Sequence, residues 1–152
     1  MRRLVGVLAI GLTWLATIGF AHAQDARYGK VKVVYHLNGD GAPDAKGYMQ
    51  AMRNIRNHID AVGKGNADVK VVMHGDGLGI LKVAKTNLGL QGEVADLKST
   101  HKVQFVVCKN TLTQRKIDPD KDLFDVVGED VVPSGVAELS YLQTKGYTYI
   151  KP

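Results

Sequence analysis

The sequence predicts an α/β fold: a three-layer α/β/α sandwich around a mostly parallel sheet of about five strands. Three observations lead there. Short runs such as Lys30 to Leu37 (KVKVVYHL), Val69 to His74 (VKVVMH) and Val103 to Val107 are rich in β-branched residues with little polar alternation. Between them, apolar residues recur at three- and four-residue spacing, which is the period of a half-buried helix. Glycine-rich turns follow two of the runs: Asn38-Gly39-Asp40-Gly41 and Gly75-Asp76-Gly77. A strand apolar on both sides must be covered on both faces, and helices between strands supply that cover together with the crossover that parallel pairing needs.

The elements follow in order. After the first strand, Tyr48, Met52, Ile55, Ile59 and Val62 form one buried stripe of a helix that starts near Pro43 and Asp44 and stops at Gly63. Val69 to His74 is the second strand, and Leu78 to Lys85 begins a second helix. Between Thr86 and Thr100, Leu88, Leu90, Val94 and Leu97 indicate further helical packing. Val103 to Val107 is the third strand, Lys109 to Lys116 a short helix and Val131-Val132 a fourth strand. Ser134 then caps a helix carrying Val136, Leu139 and Leu142, Gly146 closes it, and Tyr147 to Ile150 is the last strand.

The first residues have the form of a secretory leader. Arg2 and Arg3 precede an apolar stretch from Leu4 to Phe20, and Ala21-His22-Ala23 has the small-x-small pattern that a signal peptidase cuts. Cleavage after Ala23 is expected, which leaves residues 24–152 as one domain in the periplasm, with no membrane attachment once the leader is gone. An uncleaved anchor is the alternative, since the apolar run approaches the roughly 18 residues of a spanning helix. The formal charge of +5 includes Arg2 and Arg3, and the other basic residues are scattered among acids. Without a basic stripe interleaved with aromatics, nucleic-acid binding is not supported.

There is a single cysteine, Cys108, so the chain forms no internal disulfide although its expected compartment is oxidising. In an α/β sheet of this kind ligands meet the carboxyl edge of the strands. Cys108, the turn after His36 and the turn after His74 all fall at that edge. A cysteine at a helix N-terminus beside Lys109 gains from free backbone N–H groups and a positive charge, which lowers its pKa below the usual value of about 8.5. The competing reading is a small, buried, inert cysteine that ends a strand.

Two stretches carry a resemblance: Cys108-Lys109-Asn110-Thr111-Leu112 and Val132-Pro133-Ser134-Gly135-Val136, together with the His74-Gly75-Asp76-Gly77-Leu78 turn and the βαβα order. In these the chain resembles the DsrE/DsrF-like family, whose fold is also called YchN-like, and its exported members in particular. The resemblance implies a sulfur carrier that holds a persulfide on Cys108, assembled as a trimer or hexamer, with an unknown sulfur donor and acceptor. Relay members often place an Arg-Gly pair after the helix that follows the cysteine; here Arg115 is followed by Lys116.

The remaining rim residues have two readings each. His36 and His74 act as acid, base or ligand, or each simply bonds nearby backbone, and they form a two-histidine site only if their strands are neighbours. Asp40 and Asp76 follow glycines in turns, where aspartate commonly bonds its own backbone. Asn110 and Thr111 either cap the helix after Cys108 or touch a ligand, and Arg115 is a solvated charge or an anion-holding group. His58 and His101 read as surface residues. No spacing marks a metal site, no cofactor is implied, and neither glycine turn is a phosphate loop. Two functions follow: sulfur handling at Cys108, or a non-catalytic oligomeric module that binds a small ligand or partner and uses the cysteine as packing.

Overall fold

The computed structural model describes residues 27–152 except Ala42. The expected leader, residues 1–23, lies outside the described residues. Five strands, β1 (Val31–Leu37), β2 (Ala67–Met73), β3 (Gln104–Cys108), β4 (Val131–Val132) and β5 (Thr148–Ile150), form one sheet in the order β4-β3-β2-β1-β5. Every neighbouring pair is parallel. The helices are α1 (Lys46–Val62), α2 (Gly79–Ala84), α3 (Leu88–Ser99), α4 (Lys109–Arg115), α5 (Pro119–Asp122) and α6 (Gly135–Thr144). The α/β sandwich expected from the apolar strands is the observed architecture.

Strand alternation splits the interior in two. Val33, Tyr35 and Leu37 of β1, Val69, Val71 and Met73 of β2, and Phe105 and Val107 of β3 point to one face, where they pack with the stripes of α1, α2 and α3. Val34, Val72 and Val106 point to the other, where Leu139 and Leu142 of α6 and Tyr147 cover them. The first core is therefore much the larger. Burying a side chain as completely as Met52 or Ile55 stabilises by about 1.5–3 kcal/mol.

Local chemistry sets the helix starts. Asn87 accepts the Leu90 N–H at 3.0 Å ahead of α3, and Ser134 accepts the Ala137 N–H at 3.3 Å ahead of α6. A helix that the sequence reading left unassigned, α5, begins with Asp118, which accepts from the N–H groups of Asp120 and Lys121, and has Pro119 at its first position. Val136, expected in the buried stripe of α6, is 63% exposed. The buried face is instead Gly135, Leu139 and Leu142, one residue round the helix. His101, expected at the surface, is 7% exposed, with Nε2 3.5 Å from Asp96 Oδ2 beneath the end of α3. His58, also expected at the surface, is half-buried because its Nδ1 meets the Tyr35 hydroxyl at 2.7 Å.

The strand order matters for function. From β1 the chain steps through β2 and β3 to β4 in one direction, then returns across the sheet to place β5 beside β1. Right-handed crossovers put helices on one face for steps in one direction and on the opposite face when the direction reverses. Accordingly Leu112 of α4 joins the first core while α6 lies on the second. The loops leaving β3 and β4, two neighbouring strands, thus diverge to opposite sides and open a crevice between them. No helix among the described residues is long and apolar enough to cross a membrane.

Candidate functional site around Cys108

Cys108 is the last residue of β3, at that crevice. Its neighbour in the sheet is Val132, two residues before Ser134 caps α6, and its own successor, Lys109, opens α4. The starts of two helices therefore face the same sulfur. Burial pushes the thiol pKa up, and this is the largest single influence. It is outweighed by donors to the sulfur: the backbone N–H of Gly135, the backbone N–H and hydroxyl of Thr111, and the backbone N–H of Asn110. The net result is a pKa below the ordinary value, so the thiolate is favoured even though the residue is 4% exposed.

Thr111 is buried, and its Oγ accepts the Gly75 N–H at 3.0 Å, which leaves the hydroxyl proton to point at the sulfur. The glycine turn after β2 is thereby tied to the thiol. Asn110 contributes through its backbone, and its N–H also reaches the Pro133 carbonyl at 3.3 Å across the crevice; its side chain is exposed. The Lys109 ammonium, expected to favour the thiolate, is not among the groups that do so. Lys109 instead lines a cavity of about 620 Å³ with Lys116, Leu112, Val131 and Pro133.

His36 and His74 do come together. Their strands are adjacent, both side chains lie on the α6 face, and Nε2 meets Nε2 at 2.7 Å with ring centroids 4.7 Å apart. His36 Nδ1 also meets the Tyr149 hydroxyl at 2.7 Å. Burial lowers the pKa of both histidines; for His36 the charge on His74 and then Lys151 adds to this, and for His74 Lys151 does. The rings are therefore neutral at neutral pH, joined in a short chain that ends at an exposed tyrosine. Continuing the β2–β3 register past Met73 and Val107 brings His74 level with Cys108. The two stand side by side, each with its Cβ against Gly135.

The other rim residues form a second group. Arg115 reaches Asp76 Oδ1 at 2.7 Å, so neither is an isolated charge, although both are too exposed for the pair to contribute much stability. Asp40 lines a cavity of about 340 Å³ with Asp76, Arg115 and Tyr48. The Tyr48 hydroxyl donates to the Asp76 carbonyl at 2.8 Å, and its pKa is pushed up to about 12 by burial and then by Asp40 and Asp76, against the opposing effect of Arg115. Tyr48, expected in the core stripe, thus also borders this cavity. No group of three His, Cys, Asp or Glu side chains among the described residues is arranged to hold a metal ion.

Lys116, where relay members often carry glycine, ends α4 in the left-handed region with φ 53° and ψ 42°. Glycine adopts that conformation without steric cost, so the departure in sequence leaves the turn itself in place.

Comparison with known proteins agrees with this arrangement. A family model described as the DsrE/DsrF-like family matches residues 31–152. The solved structure of a protein of unknown function from Methanobacterium thermoautotrophicum is 30% identical, with a TM-score of 0.66, covering 81% of this chain and 100% of that one. No curated protein matches the chain. With its parallel sheet, its cysteine at the end of β3 and a match from β1 to the C-terminal residue, the chain belongs to the DsrE/DsrF-like family, which is linked in general to sulfur relay.

Proposed function

We propose that this protein carries sulfur as a persulfide on Cys108, and that it does so in the periplasm as a trimer or larger assembly after loss of residues 1–23. The observation that carries the reading is the set of donors around the sulfur. A cysteine buried only for packing has its pKa raised; here Gly135, Thr111 and Asn110 reverse that effect. In the transfer the Cys108 thiolate attacks the outer sulfur of a donor persulfide. One S–S bond forms at Cys108 as the donor's S–S bond breaks, and the donor departs as a thiolate with the bonding pair. Passing the sulfur on to an acceptor thiolate repeats the exchange in reverse. The same donors that favour the thiolate face the terminal sulfur anion between the two steps.

A second reading has its own observation. Cys108 is almost closed off, which suits an assembly or binding module in which the thiol is packing. Mass spectrometry of protein purified without reductant separates the two. Under the carrier reading, incubation with a persulfide donor adds one sulfur atom to the mature chain and Cys108→Ser abolishes the addition while the circular dichroism is unchanged. An unmodified thiol, or a Cys108→Ser chain that unfolds, would support the packing reading instead.

A further inference from the structure

Cys108 and the His36–His74 pair occupy one face of the sheet, and the first turn of α6 closes over Cys108 and His74. Its first residue, Gly135, is buried, and a Cβ placed on it would lie 3.2 Å from His74 Cβ and 3.3 Å from Cys108 Cβ. Contacts that short are tighter than most Cβ contacts and require His74 and Cys108 to give by a few tenths of an ångström. The backbone at Gly135 does not have a positive φ, so conformation does not call for glycine at this position. Room does. A residue without a side chain lets the helix start settle between β2 and β3 without displacing His74 or Cys108.

We infer that Gly135 is a positioning residue for Cys108: its missing side chain seats the start of α6 against β2 and β3, where its backbone N–H donates to the sulfur. The inference rests on the sulfur-carrier reading for its purpose but not for its geometry. Three features of the structure meet at this point. The crevice lies where the loops after β3 and β4 diverge, so a donor from α6 can approach a residue whose own helix runs to the other face. Ser134 fixes the turn by capping Ala137, which aims the following N–H groups toward the strand ends. Leu139 and Leu142, one and two turns on from Gly135, anchor the helix on Val34, Val72 and Val106 and hold its start in place.

The consequence is that reactivity at Cys108 is controlled from a helix remote in sequence. Two substitutions separate room from the amide. Gly135→Ala adds a Cβ and keeps the N–H; Gly135→Pro adds a Cβ and removes the N–H at a first-turn position that tolerates proline. Ser134 before it has φ −146° and ψ 122°, an extended conformation compatible with a following proline. The rate of Cys108 alkylation by iodoacetamide as a function of pH gives the thiol pKa of each variant, with thermal unfolding as the check on folding. Ala is expected to raise the pKa and Pro to raise it further, each unit reducing the thiolate at a given lower pH by about tenfold. Val136→Ala, an outward-facing neighbour, is expected to leave it unchanged.

A folded Gly135→Ala protein whose thiol pKa equals that of the unaltered chain would overturn the inference, whatever the behaviour of the proline variant. Sulfur loading is scored separately on the unaltered protein. If the unaltered chain takes no sulfur while Gly135→Ala still raises the pKa, the carrier reading fails and the positioning role stands. If it takes sulfur and the pKa of Gly135→Ala does not move, the reverse holds.

Discussion

The two faces of the sheet are built differently. On one, α1, α2 and α3 bury a continuous core with Met52, Ile55, Val71, Met73 and Leu97 at its centre. On the other, α6 and Tyr147 cover Val34, Val72 and Val106, and toward the carboxyl end of the strands the apolar row gives way to His36, His74 and Cys108. The strands are shared, so the same backbone serves both. The contrast indicates that stability is concentrated on one face, which leaves the other free to hold polar and reactive groups at modest cost to the fold.

The sharpest way to break this comparison is to truncate one residue on each side. Ile55, 0% exposed under the first core, is expected to cost about 3–5 kcal/mol as alanine, near the top of the range for such changes. Leu139, 6% exposed on α6, is expected to cost about 2 kcal/mol. Urea unfolding of the two variants measures both, and equal losses would mean that the faces are energetically alike.

Acid tests the polar row. His36 and His74 have their pKa values lowered below the ordinary 6.5 in the folded protein, first of all by burial, as does His58 beside Tyr35 on the other face. The unfolded chain therefore takes up protons that the folded chain refuses. The stability these groups contribute is fully present above pH 6.5 and is lost as pH falls from there through their folded values. Unfolding midpoints recorded down this range are expected to fall, and His36→Gln with His74→Gln should flatten the slope. A slope unchanged by the double substitution would show that the pair does not titrate as described.

A smaller effect lies at the end of α4. Lys116→Gly is expected to stabilise by up to about 1 kcal/mol, because glycine occupies the left-handed conformation without the Cβ contact that lysine bears. A higher melting temperature checks it; a lower one would mean that the lysine side chain contributes something beyond its backbone.

Much of this fold was readable in the chain because each strand is apolar enough to mark itself. Lys30 to Leu37 and Val69 to His74 differ from the observed β1 and β2 by a residue or two. The capped α6 was readable too, since Ser134 is a local signal. Its buried face was not: which of Gly135 or Val136 points inward depends on the angle at which the helix meets β2 and β3, and a glycine carries no apolar signal. The single turn of α5 has too few residues for periodicity to show.

The site divides in the same way. Cys108 stands out as the lone thiol at a strand end, and Thr111 is near it in sequence. Pairing of His36 with His74 needed the strand order, and Tyr149 reaches His36 only because the return crossover sets β5 beside β1. Attributing the thiolate to Lys109 followed from adjacency along the chain, whereas the donors are the amides of Asn110 and Thr111, the Thr111 hydroxyl and the Gly135 amide, of which the last is brought in by folding.

The central claim is that folding lowers the pKa of the Cys108 thiol despite burying it. The direct measurement is the thiol pKa of the folded, unaltered protein, obtained from the pH dependence of iodoacetamide alkylation and compared with the same chain in denaturant. The expected result is a midpoint in the folded protein below that of the same chain in denaturant. A folded midpoint at or above that of the denatured chain would show that burial prevails over Gly135, Thr111 and Asn110, and would contradict the account.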